Sequence, residues 1–347
     1  MTSSRSLSRS DAGIFPGEDD LEVVLPEAIG APATVLARNA DARLGLWIER
    51  HRDFLESLLT QYGAVAFRGL ECPDRQTFVA VIERIGSQIM DIKEESSRRT
   101  HLGSSVYTAT DHPSQYDIFP HHESSYSLSV PRRVFFHCVD QADDGGETLL
   151  ADGCAIWSRI APETRHKFDT LGWALHRRYG DGLGVGWQQA YATEDRREVE
   201  QHCLMADTQA RWIESNLFTR QARSATLIHP VLRRPVWFNH ICFFHRTAIP
   251  EDLLQLLLEE DRGLPFDTTY GNDEPIDAAV IEELRSAYRA CTVSFKLLAN
   301  DVLVLDNLRI AHGRRAFSGN RQLLFAAADP FGIPIAERIS AEPRHRN

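Results

Sequence analysis

Asp117-Ile118-Phe119-Pro120-His121-His122-Glu123 is the stretch whose reading decides the fold. It reads as extended. On a strand alternate side chains share a face, so His121 and Glu123 can converge on one ion while His122 points away. Two imidazoles and one carboxylate that leave coordination positions open form the donor set of non-haem Fe(II) centres. One imidazole is missing from the stretch itself. His312 can supply it, standing 191 positions further on in Asp306-Asn307-Leu308-Arg309-Ile310-Ala311-His312-Gly313-Arg314. Only a fold that lays a distant strand beside the first can bring it in. A surface His-x-Glu pair is common, so that pair alone leaves a bland alternative standing.

The rest of the chain is compatible with such a fold. Its 347 residues, 43% of them hydrophobic, can bury a substantial core, and a net charge of -11 argues against a general nucleic-acid binder. No apolar stretch approaches the ~20 residues needed to span a bilayer. The first ten residues lack the apolar region of a secretory signal and read as part of a disordered leader over 1–20. Cys72, Cys138, Cys154, Cys203, Cys242 and Cys291 are scattered without a C-x-x-C pair, which predicts free thiols and a cytoplasmic location.

Periodicity predicts a helix over Leu46 to Tyr62 ended by Gly63, a strand from Ala64, and a second helix capped by Asp74 and running to Gly86. Strands are expected at Val134–Val139, Glu147–Ala151, Val236–Asn239, Cys242–Phe244, Val293–Phe295, Val302–Leu305 and Gln322–Ala326. Helices are expected over Glu251 to Asp261 and Asp277 to Ala290. The polar stretch at about 155–212 reads as a helical insertion over one mouth of the core. The fold class is therefore α+β with a mainly β core: a double-stranded β-helix (jelly-roll, cupin-like) with helical insertions. It forms a single catalytic domain over 21–335, followed by a charged tail at 336–347. A doubly wound sheet would need regular strand–helix alternation and a Gly-rich fingerprint, and neither is present.

Several blocks carry a family resemblance: Ser97-Arg98-Arg99-Thr100, Val106-Tyr107-Thr108-Ala109-Thr110, His121-His122-Glu123, Gly145-Gly146-Glu147-Thr148-Leu149, His229-Pro230, Val236-Trp237-Phe238-Asn239, and Leu305 through His312-Gly313-Arg314 to Arg321. With them the chain resembles the clavaminate synthase-like (taurine dioxygenase-like) superfamily of Fe(II)/2-oxoglutarate oxygenases, in the branch that contains the syringomycin-pathway aspartyl hydroxylase. The resemblance implies Fe(II) on His121, Glu123 and His312, with 2-oxoglutarate and O2 as co-substrates. It implies that Thr148 and Arg321, which is nine positions after His312, bind the remote carboxylate of 2-oxoglutarate; an arginine fork suits that group. Related halogenases lack the carboxylate, so Glu123 points to oxygenation.

The resemblance also has departures. Many relatives carry a second arginine four positions after the first to grip an acidic substrate, and here that position is Phe325. The residue between the first two ligands is His122 where asparagine is frequent. Arg99, Thr108, His122, Asn239, Arg314 and Phe325 are candidate substrate-pocket residues, each with a packing or surface role as its alternative. His137, His229, His240 and His245 are expected to be structural. The implied reaction is hydroxylation of an unactivated C–H bond in a small, amino-acid-like substrate, free or on a carrier protein, in specialised metabolism. Desaturation, cyclisation or epoxidation would use the same residues. A metal-binding jelly roll that senses a small acid without turnover is the competing class.

Overall fold

The strand Val302–Asp306 is buried along its whole length. Val302 and Val304 pack against helices, whereas Leu303 and Leu305 face the interior of the molecule. A strand covered on both faces reads as an unbroken apolar run, because neither face needs polar side chains. The computed structural model describes residues 21–37, 43–86, 88–92, 94, 99–110, 112–180, 185–259 and 263–333. The expected leader at 1–20, the tail at 336–347, and Ser97 and Arg98 lie outside them.

Val302–Asp306 lies within a nine-stranded sheet. Its order is Leu21–Val24, Ala33–Ala37, Ala64–Arg68, Val302–Asp306, Ser129–Asp140, Gln322–Gly332, Val106–Thr108 and His101–Gly103, with Ile89–Met90 also pairing Gln322–Gly332. The helices Leu44–Arg50, Arg52–Tyr62 and Arg75–Ile85 cover its outer face. A four-stranded sheet runs Thr292–Phe295, Thr148–Asp152, Ile310–Arg314, Ile118–His121. Ala66, Phe136, Leu150, Leu303 and Phe325 share the core between the two sheets. This is the mainly β, jelly-roll core with helical insertions that the sequence predicts.

Local signals act where expected. Asp74 caps its helix by accepting from Thr77 N at 2.8 Å. Gly63 ends the preceding helix at φ 77, donating to Leu59 O. The single helix expected over Leu46 to Tyr62 is two helices that meet at His51.

Two expectations are corrected. Cys242–Phe244, read as a strand from its aromatic content, belongs to the short helix Ile241–Phe244. Asn239 begins this turn by accepting from Ile241 N at 3.1 Å, and burial of Ile241 and Phe244 overrides β propensity. The stretch at about 155–212 does hold the helices Gly153–Arg159, Pro162–Leu171, Trp187–Tyr191 and Arg196–Met205, but it also contributes to a third sheet. That sheet runs Thr208–Ile213, Asn216–Arg223, Trp173–Tyr179, Phe266–Tyr270. Charged residues at inward positions hid these strands: Arg177 is buried against Glu94, and Arg223 donates to the carbonyls of Tyr126 and Ala206. All six cysteines are free and buried. No helix among the described residues is long and apolar enough to cross a membrane.

Asp152 joins three parts of this frame. Its Oδ1 caps Gly153–Arg159 through Cys154 N and Ala155 N, and its Oδ2 receives Arg309 Nε at 2.8 Å. Arg309 in turn donates to the carbonyls of Thr60 and Gln61. Asp152→Ala removes both the cap and the partner of a largely buried guanidinium, and should lower the urea unfolding free energy by about 3 kcal/mol. A loss below about 1 kcal/mol would mean that the cap and ion pair contribute little.

Candidate metal centre

Antiparallel pairing of Ile118–His121 with Ile310–Arg314 sets His121 directly opposite His312. Opposed residues point to one face, and the two rings lie 4.8 Å apart. Gly313 is required by the same approach: a Cβ there would stand 2.3 Å from Ile118 O. Glu123 completes the group. One ligand atom each from His121, Glu123 and His312 falls within 4.8 Å of the others, and all three residues are buried. Glu123 Oε2 is 3.6 Å from His312 Nε2 and 3.1 Å from Arg99 Nη2.

Glu123 reaches this place by a route the extended reading does not contain. The strand ends at His121, and the chain turns at His122, with Ser125 N donating to His122 O. Asn307 replaces the lost ladder. Its Oδ1 accepts from Glu123 N at 2.7 Å, while its Nδ2 donates to Glu123 O at 3.1 Å and Pro131 O at 2.8 Å. Asn307 O also accepts from His122 Nδ1 at 2.7 Å. His122 is thereby turned onto Phe238, its ring 4.7 Å away. The turn that carries Asn307 is held by His229. Val231 N and Leu232 N donate to its Nδ1, so Nε2 carries the proton and donates to Asp306 Oδ2 at 3.0 Å.

Protonation suits metal binding. His121 Nδ1 donates to Phe119 O at 2.9 Å, which directs Nε2 into the group. Burial first, and His312 second, pushes His121 down to about 3, so the ring is neutral at physiological pH. Burial alone would raise the Glu123 carboxyl. Arg99, then His312 and His121, reverse this and hold it well below the usual carboxylate range. The rings of His240 and Phe243, 4.9 and 4.7 Å from His121, and Phe136, 5.2 Å from His312, form an aromatic wall.

Beside the triad, register assembles a second cluster. Leu150 faces His312 and Thr148 faces Arg314, so Thr148 lies on the His312 face of the sheet. Its Oγ1 is buried and has no protein partner. Arg321 donates from Nε to Gly146 O at 3.1 Å, and burial, then Arg314, pushes it down to about 10. The guanidiniums of Arg321 and Arg314 lie 5.6 and 4.8 Å from the Phe317 ring. An orphaned hydroxyl opposite Arg314, on the strand that follows the Gly146 carbonyl bound by Arg321, fits the remote carboxylate of a 2-oxo acid. Arg314 is the less available of the two, since it donates to the carbonyls of His112, Pro113 and Tyr116.

The other candidates are placed differently. Asn239 serves the frame: its Nδ2 donates to Ala225 O and its Oδ1 accepts from Ile241 N. Thr108 braces its neighbour, with Oγ1 accepting from Thr100 N at 2.9 Å. Phe325 is fully buried beneath Arg99, whose guanidinium carbon is 4.1 Å from the ring. Asn307 was not singled out from sequence; its place in the His312 block was the available signal.

Asn307→Asp would turn a two-carbonyl donor into an acceptor, costing about 3 kcal/mol of stability. It should also weaken Co(II) affinity about tenfold or more in a calorimetric titration; unchanged affinity would detach Asn307 from Glu123. A second prediction concerns acid. In the unfolded chain His121 and His122 protonate near 6.5, whereas in the fold burial holds them at about 3 and about 4. The unfolded state binds more protons in between, so metal-free protein should lose stability as pH falls from 6.5 towards 4. A urea midpoint that stays flat over that window would contradict the burial of these rings.

The profile of the family described as "Taurine catabolism dioxygenase TauD, TfdA family" matches residues 25–327. The chain is 33% identical over 319 residues to the dapdiamide synthesis protein DdaC of Enterobacter agglomerans, covering 90% of this chain and 96% of that one. It is 26% identical over 296 residues to a clavaminate synthase-like protein of Arabidopsis thaliana, covering 80% and 84%. Among solved structures, a taurine dioxygenase from Burkholderia xenovorans superposes with a TM-score of 0.51 at 16% identity, over 92% of this chain and 94% of that one. PvcB of Pseudomonas aeruginosa, an Fe, alpha-ketoglutarate dependent oxygenase from an isonitrile synthetic pathway, also gives 0.51 at 16%, over 88% and 90%. At that identity the two structures speak for the fold alone. On the profile and the similarity to DdaC, the chain belongs to the TauD/TfdA family and is a dioxygenase that works with Fe(II), 2-oxoglutarate and O2.

Proposed function

We propose that this dioxygenase hydroxylates an unactivated C–H bond of a small, amino-acid-like molecule in a natural-product pathway. His121, Glu123 and His312 hold Fe(II), and Thr148 and Arg321 take the remote carboxylate of 2-oxoglutarate. The observation that carries the reading is Thr148 Oγ1: a buried hydroxyl without a partner among the described residues, on the same sheet face as His312 and two positions after Gly146, whose carbonyl accepts from Arg321. A merely structural metal site would have no use for it. The biosynthetic setting is supported by the similarity to a dapdiamide synthesis protein.

With Fe(II) bound, 2-oxoglutarate and O2 supply an oxidant able to take hydrogen from an unactivated carbon, releasing succinate and CO2. The chain's own groups prepare that chemistry. Neutral His121 and ionised Glu123 offer lone pairs without first losing protons. Arg321 matches charge and geometry to a carboxylate at the far end of the co-substrate, and Thr148 adds a hydroxyl donor. Phe136, His240 and Phe243 line the triad with aromatic rings, a setting that would favour a carbon over water beside it.

Purified protein given Fe(II), 2-oxoglutarate and O2 should release succinate, faster when the accepted substrate is present in a screen of amino acids and small acids. His312→Ala should abolish release. Arg321→Ala should raise the 2-oxoglutarate KM by about tenfold or more with a smaller change in kcat, since a charge-assisted pair is lost. Wild-type protein that never yields succinate would sink the proposal, and an unaltered KM would take Arg321 out of the co-substrate site.

A further inference from the structure

Resting on the reading above, we infer that His240 is a substrate-binding residue whose Nε2–H donates to an oxygen of the molecule being oxidised. The substrate class is thereby narrowed to compounds that carry a carbonyl or carboxylate oxygen near the reacting carbon. An ammonium group has no lone pair to offer and is excluded from this position.

The place of the ring is the first argument. In its sheet, the His312 strand has Ile118–His121 on one side and Thr148–Asp152 on the other. His240 belongs to the His121 side, its ring 4.9 Å from that of His121. Thr148, proposed for the remote carboxylate of 2-oxoglutarate, stands on the opposite side. A group that reaches His240 therefore belongs to the second small molecule of the reaction, not to the far end of the co-substrate.

The two nitrogens are the second argument. Ser125 Oγ lies 2.6 Å from His240 Nδ1. This hydroxyl has no other acceptor among the described residues, so it donates to Nδ1 and the ring's own proton stands on Nε2. A protonated ring would also carry a proton there, so Nε2 is a donor at either charge. Among the described residues Nε2 has no partner. Unlike Nε2 of His122 and both nitrogens of His137, it is not sealed by its surroundings. The ring as a whole is only 2% exposed, so this one atom borders a space inside the molecule. Packing among Tyr126, Phe243 and Phe244 calls for a ring but not for a nitrogen. A buried donor left open beside the triad has a use when an acceptor arrives.

Rigidity is the third. Asn239 braces the chain around the ring, donating to Ala225 O at 3.0 Å and accepting from Ile241 N at 3.1 Å. Phe244 N donates to His240 O at 3.0 Å, and the Phe244 ring stacks on the imidazole at 5.4 Å. Ser125 stands two positions after Glu123, so its hydroxyl ties the imidazole to the turn that carries a metal ligand. A donor held in this way loses little freedom when a ligand binds.

Two measurements on the full chain test the inference. In long-range proton–nitrogen spectra of the metal-free protein, the His240 signals, identified by their loss in His240→Phe, should show a proton on Nε2. A ring protonated on Nδ1 alone would overturn the inference. The second measurement is anaerobic, at saturating Fe(II) and 2-oxoglutarate. The common L-amino acids and their amides, each beside the amine that lacks the carboxyl carbon, are titrated against the visible charge-transfer band of the loaded protein. In wild type at least one oxygen-bearing compound should perturb the band with an affinity about tenfold or more above that of its amine, as expected for one hydrogen bond made to a charged or strongly polar oxygen. His240→Phe and His240→Leu should form the band but lose this preference. The inference is overturned if either variant forms the band and keeps the preference, or if wild type forms the band yet shows none. It is also overturned if neither variant forms the band, which would make His240 a packing residue for His121. Absence of the band in wild type would overturn the oxygenase assignment itself, a separate failure.

Discussion

The exchange of hydrogen bonds between the Asn307 side chain and the Glu123 backbone is the constraint on which the site depends. Of the triad, Glu123 is the member outside a strand. A carboxylate on a turn is free to wander, and a metal site built on it would reorganise each time it was filled. Asn307 removes that freedom by presenting an amide where the next rung of a ladder would be. It sits five positions before His312, so one side chain locks both ligand-bearing segments together. His229, held by two backbone donors and bonded to Asp306, extends the lock into the loop that packs behind it.

Sheet register does for the residues proposed to take the co-substrate what Asn307 does for the proposed metal ligands. His121, His312 and Leu150 stand abreast across three strands, and Thr148 and Arg314 follow on the same face. A slip of one residue in the Thr148 strand would turn Thr148 to the opposite face and place Glu147 or Leu149 toward the site. The core between the sheets forbids such a slip, because Leu150 would have to leave it. Packing energy thus fixes the placement of a hydroxyl whose unpartnered burial is itself unfavourable.

The sequence made part of this legible for definite reasons. His121, Glu123 and His312 could be proposed because metal ligation demands particular residue types. Thr148 and Arg321 could be added because a family pattern ties them to those ligands. Asp74 and Gly63 announce their caps because capping is local. The rest depended on contacts between residues far apart in the chain. Nothing near Arg99 reveals that it will meet Glu123, 24 positions away, over the ring of Phe325. Asn239 sits among aromatics that suggest a pocket, yet a short helix uses up its amide. The inserted strands were hidden by Arg177 and Arg223, whose charges look exposed until Glu94 and the backbone carbonyls are in place to receive them. Buried ion pairs are where sequence patterning is least informative, since each partner alone looks like surface.

Metal and co-substrate groups stand on the paired strands of the jelly roll or are bonded to them, whereas Arg99 stands on a separate segment. Glu94, a separate buried contact, binds the inserted sheet through Arg177 and Gln221 and a helix through His202. None of these Glu94 contacts involves the His121–His312 register. Any disturbance of Glu123 moves a carboxylate that the Arg99 guanidinium faces at 3.1 Å. Arg99 and Glu123 depend on each other, since the guanidinium also helps to hold the Glu123 carboxyl well below the usual carboxylate range.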